Sequence, residues 1–409
     1  MTAAIEEFPD VSKADVKGRT VLVRADLNVP MRNGAVTDAT RIARFAPTIT
    51  SLLDRGARVV VMTHLGRPAA EPNPVYSTRP VANALSKVLK QDVCFVSDCV
   101  GAPAERAVGG LPPGGVAILE NLRFHKGESE NNRNFAIRLS VLGDLYVNDA
   151  FSCSHRAHAS THAIAELMPA YAGPSLLAEI TALRAVLEKP RRPVMAVVGG
   201  AKVSSKIAVL KSLAGKVDHL VIGGGMANTF LAARGLNVGR SLVEPDALGT
   251  ALEITEAAQA AGCRILLPED VVVAETFAAH SPSRIARSTQ IPVNAMALDI
   301  GPASAARIRD LMQTCATLLW NGPLGAFELA PFGEGTFAVA QAAARMTAQG
   351  QLTSIGGGGD TVAALNAAGV ADQFTYVSTA GGAFLEWLEG RALPGIEILR
   401  TATRKLEEV

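Results

Sequence analysis

Short runs of β-branched and other apolar residues recur along almost the whole chain, and a turn and a helix-like segment follow each run. Continuous apolar runs of this length are typical of strands that are buried on both faces. Their alternation with helices predicts βαβ units and therefore parallel sheets. The predicted strands are Thr20–Val23, Val59–Met62, Val93–Val96, Val116–Leu119, Leu145–Val147, Val194–Val198, Leu220–Ile222, Arg264–Leu267, Thr317–Trp320, Leu352–Ile355 and Thr375–Val377.

The segment between the two sets of predicted strands contains the best domain boundary. A chain of 409 residues exceeds the usual size of one core, so we expect two domains. Ser175–Leu187 has a 3.6-residue apolar period, with Pro174 near its start, which predicts a helix. Lys189–Pro193 contains two prolines among basic residues and must end that helix. Residues 174–193 are therefore predicted to join the two domains.

Charge and cysteine content exclude several classes of protein. The net charge of +1 argues against general affinity for nucleic acid or for an anionic membrane. The five cysteines form no CxxC pair and no zinc spacing, which favours reduced thiols. We find no signal peptide in MTAAIEEFPD and no apolar run of about 18 residues, so we expect a cytoplasmic protein.

Arginine and other polar residues follow the predicted strands of the first half. Ligands of open parallel sheets bind beyond the carboxyl ends of the strands, and the forked guanidinium suits both phosphate and carboxylate. Each arginine alone could equally be a surface residue in a helix cap or an ion pair. Their recurrence at equivalent positions favours an anion site. The arginines are Arg24, Arg41, Arg67, Arg123 and Arg156, and Asp26, Asn28 and His64 lie among them.

Glycine clusters occupy the corresponding positions of the second half. Glycine lets the backbone approach a ligand, and amides at the start of the following helix can bind phosphate oxygens. Tight βα turns need glycine in any case, so one cluster would be weak evidence. The repetition predicts a site for a nucleotide phosphate tail. The clusters are Gly199-Gly200, Gly223-Gly224-Gly225, Gly356-Gly357-Gly358-Gly359 and Gly381-Gly382.

Charged residues near these glycines have two possible roles each. Lys202 and Lys206 are spaced i and i+4 on a helix predicted to start after Gly200, so both would face phosphate or simply solvent. Asp360 could cap a helix, hold Mg²⁺ beside the nucleotide phosphates, or do both. Glu328 could accept hydrogen bonds from ribose or cap a helix.

The sequence disfavours three other kinds of site. His155, His158 and His162 could line one face of a helix, but no cysteine or acidic ligand accompanies them for zinc. Gly223–Asn228 departs from the GxGxxG dinucleotide fingerprint at its last position and lacks the acidic residue on a second strand. The P-loop signature GxxxxGK[ST] is absent.

A series of motifs in this order resembles the phosphoglycerate kinase family from about residue 18 to residue 397. They are RADLNVP, THLGRP, LENLRF, NDAFSCSHRAHAS, GGAKVSSKI, GGGMANTFL, LLWNGPLGAFE, GGGGDT and STAGGAF.

The resemblance implies an α/β fold of two Rossmann-like domains, with parallel sheets flanked by helices and joined by an interdomain helix and hinge. It implies a phosphoglycerate-binding domain at 1–173, the helix and hinge at 174–193, a nucleotide-binding domain at 194–393, and a tail at 394–409 that returns to the first domain. The reaction would be reversible phosphoryl transfer between 1,3-bisphosphoglycerate and Mg-ADP, giving 3-phosphoglycerate and ATP, by a monomer with no nucleic acid or membrane partner.

The resemblance also assigns roles residue by residue. The catalytic residues would be Arg41 and Lys202, and Mg²⁺ would bind Asp360. The substrate-binding residues would be Asp26, Leu27, Asn28, Arg41, His64, Leu65, Gly66, Arg67, Arg123 and Arg156. The nucleotide-binding residues would be Gly199, Gly200, Lys202, Lys206, Gly223, Gly224, Asn321, Glu328, Gly358, Gly359, Asp360 and Thr361, with Gly381 and Gly382 contacting the transferred phosphate.

The chain departs from the family pattern at a few positions. Ser205 stands where an aspartate is common, and Cys153-Ser154 where Gly-Thr is frequent. Ala380 replaces the first glycine of a triplet, which would matter if that position needed a positive φ.

Two competing classes are a nucleotide-binding scaffold that has lost catalysis and an NAD-linked oxidoreductase. Retention of Arg41, Lys202 and Asp360 disfavours the first class, and the imperfect fingerprint disfavours the second.

Overall fold

The computed structural model describes residues 8–407. Within them the chain forms two compact units. The first runs as far as Thr181 and resumes at Ala392, and the second spans Ala182–Arg391. The hinge at 174–193 stays a prediction. No helix of the described residues has both the length and the apolar character needed to cross a membrane.

The first unit is built around a parallel sheet of six strands. Their order is β5-β6-β4-β1-β7-β8, so the central strand β1 lies between β4 and β7. A short antiparallel hairpin, β2–β3, follows β1. The strands are β1 (Thr20–Arg24), β2 (Met31–Arg32), β3 (Ala35–Val36), β4 (Arg58–Met62), β5 (Val93–Val96), β6 (Val116–Leu119), β7 (Leu145–Asn148) and β8 (Ala170–Ala172).

Helices flank this sheet because their apolar faces pack on its buried strands. Ile42, Phe45 and Ile49 of the helix after β3, for example, belong to the same core cluster as the strand residues Val21 and Val23. The helices are α1 (Thr40–Asp54), α2 (Arg79–Leu89), α3 (Ala102–Gly109), α4 (Lys126–Ser129), α5 (Arg133–Ser140) and α6 (Pro174–Leu187), which continues into the second unit.

The second unit contains a second six-stranded parallel sheet. Its order is β11-β10-β9-β15-β16-β17. A separate antiparallel sheet, β13-β12-β14, belongs to the same unit. The strands are β9 (Val194–Val198), β10 (His219–Ile222), β11 (Arg264–Leu266), β12 (Asp270–Ala274), β13 (Ser283–Arg287), β14 (Met296–Ile300), β15 (Thr317–Asn321), β16 (Thr353–Gly357) and β17 (Tyr376–Ser378).

Most helices of the second unit directly follow its parallel strands, as the βα alternation predicts. They are α7 (Ile207–Ala214), α8 (Gly224–Ala233), α9 (Leu248–Ala260), α10 (Pro302–Met312), α11 (Glu334–Ala348), α12 (Gly359–Ala367) and α13 (Gly381–Leu388). The last helix, α14 (Pro394–Glu407), belongs to the first unit, where Gly395 N donates to Ser154 O at 2.9 Å.

The α/β fold with two parallel sheets is confirmed. Every predicted strand exists, with bounds that are identical or shifted by at most two residues. Gly356 and Gly357, predicted to lie in the turn after a strand, are instead its last two residues, and the turn begins at Gly358. The sequence did not predict β8, the β2–β3 hairpin or the antiparallel sheet.

Candidate active site

The polar strand ends of the first unit belong to neighbouring strands. We call the carboxyl ends of β6, β4, β1 and β7, with the loops that follow them, the arginine edge. These strands are consecutive in the sheet. Arg123 follows β6, His64 and Arg67 follow β4, and Asp26 follows β1, with Arg156 after β7. The topology therefore brings together residues that are far apart in sequence.

Asp26 and Arg41 form an ion pair at this edge. Arg41 is the second residue of α1, and its Nη1 lies 2.5 Å from Asp26 Oδ2. The Ser152 hydroxyl donates to the same carboxylate oxygen. Burial acts to raise the pKa of Asp26, but Arg41, His64 and the Ser152 hydrogen bond lower it below its usual range. Asp26 is therefore an ionised group that orients the Arg41 guanidinium.

The loop after β4 is held through its backbone. Asn28 Oδ1 accepts a hydrogen bond from Gly66 N at 2.8 Å, and Arg123 Nη1 donates to Gly66 O at 2.6 Å. Asn121, which the sequence did not single out, donates from Nδ2 to Leu65 O at 2.7 Å. Asn28 and Arg123 thus hold the loop after β4 in place. Only their remaining donors and acceptors are free to bind a ligand.

The two leucines of the predicted substrate set face the core. Leu27 is fully buried and Leu65 is 3% exposed, so neither side chain is open to a polar ligand. The Leu27 amide already donates to Thr63 Oγ1 at 3.1 Å. Any contact of these residues with a small anion would involve the main chain.

Positive charge at the arginine edge exceeds the local negative charge. Arg67 and Arg156 are exposed, and neither forms an ion pair with another described residue. The pKa of Arg123 is lowered by burial, and the positive charges of Arg24 and Arg156 lower it further. An anion bound here would relieve this mutual repulsion.

Arg24 is a residue of this edge to which the family resemblance assigned no role in substrate binding, although it stands at a strand end. It is the last residue of β1, is 1% exposed, and places Nη2 3.1 Å from His64 Nδ1. Nothing in the sequence distinguished it as the buried member of the set.

The zinc alternative gains no support from the described residues. His158 Nδ1 lies 3.8 Å from Glu128 Oε1, but none of His155, His158 and His162 belongs to a cluster of three ligand atoms among the described residues. Such groups are formed by Asp26, His64 and Cys153, and by Asp98, Cys99 and His125. In both groups burial raises the pKa of the thiol, so that it stays protonated and is a poor metal ligand.

The glycine-rich strand ends of the second unit are also neighbours. We call the carboxyl ends of β10, β9, β15, β16 and β17, with the loops that follow them, the glycine edge. These strands are consecutive in the sheet. Main-chain hydrogen bonds connect their ends: Gly199 N donates to Asn321 O, and Gly223 N donates to Val198 O, each at 3.0 Å. Gly224 N donates to Leu324 O at 2.9 Å.

The prediction that Lys202 and Lys206 share one face of a helix is wrong. The helix α7 begins at Ile207, and both lysines lie in the turns before it. Gly200 has φ +134°, which breaks helical geometry directly after the strand. Ser204, in the turn that precedes α7, donates from its amide to Glu244 Oε2 at 3.0 Å.

The two lysines consequently differ in environment. Lys202 is exposed, whereas Lys206 is half-buried and donates from Nζ to Gly199 O at 2.7 Å and to Asn321 O at 3.0 Å. Burial lowers the pKa of Lys206 to about 8, and Asp360 acts in the opposite direction. Lys206 joins the ends of β9 and β15, and Lys202 extends towards solvent.

Asn321 and Thr361 connect the ends of β15 and β16. Asn321 Nδ2 donates to Gly357 O at 2.7 Å, and the Thr361 hydroxyl donates to the same oxygen at 2.7 Å. The Thr361 hydroxyl also accepts from Gly322 N at 2.7 Å. Asn321 Oδ1 is buried and makes no hydrogen bond with the described residues. It is an acceptor that a ligand donor or water could satisfy.

Helix starts at this edge present unpaired backbone amides. The first hydrogen bond within α12 is donated by Val362 and the first within α13 by Phe384, so the amides of Gly359, Asp360, Gly381 and Gly382 precede them. Asp360 and Glu328 are exposed, and neither forms an ion pair with another described residue. Ala380 has φ −93°, so alanine introduces no backbone strain there.

Comparison with known proteins identifies the family of such an arrangement. The sequence model of the family "Phosphoglycerate kinase" matches residues 11–391. Phosphoglycerate kinase of Rhizorhabdus wittichii is 57% identical over 385 residues, covering 94% of this chain and 97% of that protein. Phosphoglycerate kinase of Bradyrhizobium diazoefficiens is 55% identical over 394 residues, covering 96% and 99%.

Solved structures are similar over the same length. The structure of phosphoglycerate kinase from Coxiella burnetii has a TM-score of 0.89 at 43% identity, covering 96% of this chain and 99% of that one. That of phosphoglycerate kinase from Pyrococcus horikoshii has a TM-score of 0.83 at 30% identity, covering 97% and 99%.

Proposed function

This chain belongs to the phosphoglycerate kinase family, and from that premise we propose which of its residues carry out the phosphoryl transfer. The enzyme transfers a phosphoryl group reversibly between 1,3-bisphosphoglycerate and ADP, giving 3-phosphoglycerate and ATP. The observation that best supports the assignment below is the contrast between the arginine edge and the glycine edge.

The arginine edge is the proposed site of phosphoglycerate. This substrate carries a carboxylate and a phosphate, and guanidinium groups bind both in forked geometry. Support comes from the excess of positive charge around Arg123, and from the absence of a protein counter-ion for Arg67 and Arg156 among the described residues. Asp26, Asn28, His64 and the loop Leu65–Gly66 complete the proposed site.

The glycine edge is the proposed site of the nucleotide phosphates. Here the donors are main-chain amides at the starts of α12 and α13, with Lys202 as an exposed cation. Gly199, Gly200, Gly223 and Gly224 would let the nucleotide approach the backbone. Lys206, Asn321 and Thr361 would hold the strand ends in register, and Glu328 would accept hydrogen bonds from ribose.

Asp360 is the proposed ligand of Mg²⁺. Its carboxylate is exposed in the first turn of α12, beside amides suited to phosphate, and it forms no ion pair with another described residue. One hard carboxylate together with nucleotide phosphates is a donor set that Mg²⁺ accepts. When bound, the metal would neutralise charge on the phosphate tail.

Arg41 and Lys202 are the proposed catalytic residues. In the direction of ATP use, an oxygen of the 3-phosphoglycerate carboxylate attacks the γ-phosphorus, and the bond from that phosphorus to the bridging oxygen of ADP breaks. Charge spreads over the oxygens of the group in transfer, and fixed cations stabilise it. No strong general acid is needed, because the groups entering and leaving are weak bases. Asp26 would keep Arg41 oriented for this role.

An assay of ATP-dependent phosphorylation of 3-phosphoglycerate, coupled to the downstream dehydrogenase, tests the activity directly. Calorimetry then tests the division between the two edges. Arg156→Ala, which removes an exposed guanidinium, should weaken binding of 3-phosphoglycerate by about tenfold and leave Mg-ADP binding unchanged. An equal loss of affinity for 3-phosphoglycerate and for Mg-ADP would contradict the assignment of the two edges.

We further propose that the enzyme works in the cytoplasm as a monomer, with residues 174–193 as its hinge. The monomer rests on the family resemblance, and the cytoplasm on five cysteines that form no CxxC pair, which is typical of reduced thiols. Light scattering on the purified chain should give the mass of one copy, and a dimer mass would contradict the monomer. Loss of turnover on restraining 174–193 by a cross-link, with ligand affinity retained, would support the hinge.

A further inference from the structure

Arg24 is an unusual arginine, because its charge is inside the protein. The side chain is 1% exposed and donates to Ala25 O at 2.5 Å, Ser160 Oγ at 2.9 Å and His64 Nδ1 at 3.1 Å. A weaker contact joins Nη2 to Cys153 Sγ at 3.5 Å. These acceptors fix the guanidinium plane, and Arg24 is therefore poorly placed to follow a ligand as a surface arginine would.

A buried glutamate, Glu128, lies near Arg24, and Ser160 forms hydrogen bonds with both residues. Glu128 of α4 is 1% exposed, and its Oε1 accepts from Ser160 Oγ at 2.6 Å while its Oε2 accepts from Ser160 N at 3.0 Å. The Ser160 hydroxyl has one proton, which it donates to Glu128, so its lone pairs face Arg24. A buried arginine and a buried glutamate are thus connected by one serine.

The contact between Arg24 and His64 determines where the imidazole carries its proton. A guanidinium offers only donors, so His64 Nδ1 must be the acceptor. A neutral ring then carries its hydrogen on Nε2, and Nε2 makes no hydrogen bond with any other described residue. A charged ring would direct a second N–H towards the guanidinium, which is electrostatically unfavourable.

We propose that Arg24, held by Ser160 and Glu128, is a positioning residue that keeps His64 as the neutral Nε2–H tautomer, which donates from Nε2 to an oxygen of phosphoglycerate. This inference rests on the proposed role of His64 at the arginine edge. In the opposite tautomer, Nε2 would present a lone pair to an anionic oxygen, and the contact would be repulsive.

The charges around His64 agree with this assignment. Burial lowers the pKa of His64 well below its usual range, and the positive charge of Arg24 lowers it further. Asp26 opposes the shift, whereas Arg123 and His158 reinforce it, and the Cys153 thiol lies 4.0 Å from Nδ1. The ring is consequently neutral at physiological pH with Arg24 in place.

Nitrogen NMR of the histidine rings in the ligand-free full-length chain tests the tautomer. His64→Gln assigns the signal among the seven histidines. The wild-type ring should be neutral with hydrogen on Nε2 at pH 7. Arg24→Met should give a mixture of tautomers and a ring that protonates at higher pH. A wild-type ring with hydrogen on Nδ1, or an unchanged His64 signal in Arg24→Met, would overturn the proposal.

Ser160→Ala provides a milder test if Arg24→Met does not fold. It removes the acceptor of Arg24 Nε and the link to Glu128, and it should raise KM for 3-phosphoglycerate about fivefold, the equivalent of one ordinary hydrogen bond. KM for ATP and kcat should change little. Ser129→Ala, on the exposed side of α4 next to Glu128, is the matched control and should match wild type.

A role of His64 in substrate binding and a role of Arg24 in setting its tautomer can be tested separately. If His64 does not contact phosphoglycerate, His64→Gln will leave KM for 3-phosphoglycerate unchanged, whatever the NMR signal of the wild-type ring. If Arg24 does not set the tautomer, His64→Gln will raise KM but the His64 signal will not respond to Arg24→Met or Ser160→Ala. Either result overturns the proposal and identifies the step that failed.

Discussion

The arginine edge and the glycine edge occupy equivalent positions on two similar sheets, yet they handle negative charge differently. At the arginine edge, charged side chains are held by other side chains, as Arg41 is by Asp26. At the glycine edge, donors are mostly main-chain amides at helix starts, and Lys206 is occupied with the carbonyls of Gly199 and Asn321. Side-chain recognition suits a small rigid acid, whereas main-chain recognition suits a flexible chain of phosphates.

One carboxyl with little solvent exposure in each unit illustrates the same difference. Asp26 lies beside Arg41 and His64, and its pKa is lowered despite its burial. Asp299, in β14, accepts hydrogen bonds from Gly335 N at 2.8 Å and Ile300 N at 2.9 Å, and burial raises its pKa to about 8. The surroundings of Asp26 therefore stabilise an ionised carboxylate, whereas those of Asp299 favour a neutral carboxyl.

Removal of Arg41 should have the largest effect. We expect Arg41→Ala to lower kcat about 10³-fold with a modest change in nucleotide KM, because a fixed guanidinium stabilises charge in the transition state. Arg44→Ala, at an exposed position of the same helix, is the control. Steady-state kinetics in both directions would measure this, and unchanged turnover would remove Arg41 from the chemistry.

Lys202→Ala should be the next most severe change. We expect a fall in kcat of about 10²-fold, since an ammonium is a less directional partner than a guanidinium for the transferring oxygens. Lys211→Ala removes an exposed lysine of α7 whose ion pair with Glu253 contributes little, and it should behave as wild type. Similar kinetics for the two variants would show that main-chain amides suffice at the glycine edge.

Asp360→Asn should act on the magnesium requirement. Loss of one carboxylate ligand is expected to raise the Mg²⁺ concentration for half-maximal activity about tenfold, while KM for 3-phosphoglycerate stays constant. Asp372→Asn, an exposed aspartate beyond α12, is the comparison. A normal magnesium titration of Asp360→Asn would refute its role as ligand.

These two carboxyls, Asp26 and Asp299, should give the smallest effects, of opposite sign with pH. Because the pKa of Asp26 is lowered, its stabilisation is present above the usual range and lost as pH falls, so Asp26→Asn should be most harmful at neutral pH. Because burial raises the pKa of Asp299 to about 8, the folded protein loses stability as the pH rises from the usual carboxyl range to about 8. The free energy of unfolding of Asp299→Asn should therefore increase relative to that of wild type as the pH rises towards 8.

Denaturant unfolding at several pH values would measure both differences, which we expect to be on the order of 1–2 kcal/mol. Parallel pH profiles for the two variants would contradict the electrostatic contrast between the units.

The sequence predicted the parallel sheets because strands buried on both faces leave continuous apolar runs, as in β1 and β9. It did not predict β13, whose mostly exposed residues Ser283–Arg287 carry no such signal. The helix expected around Lys202 and Lys206 failed because spacing alone does not register the positive φ of Gly200 or the turn held by Glu244.

Among site residues, the sequence could place strand-end arginines but could not tell their burial. Arg24 and Arg67 look alike in the sequence, yet one is enclosed by Ser160 and His64 and the other is exposed. Ala380 illustrates the opposite case, since a departure that raised concern in the sequence is harmless at φ −93°. The burial of Arg24 depends on residues that are distant in sequence, and the effect of Ala380 depends on a backbone dihedral. The sequence alone predicts neither.

The division of the first unit into two stretches has a consequence for how the chain folds during synthesis. The second unit, Ala182–Arg391, is continuous and can fold as soon as it leaves the ribosome. The first unit can be completed only after Gly395 has been synthesised. The Gly395 amide donates to Ser154 O, and its carbonyl accepts from Asn148 Nδ2. A nascent or truncated chain that ends before this residue therefore has an incomplete first unit, and premature termination would expose that unit to aggregation and proteolysis.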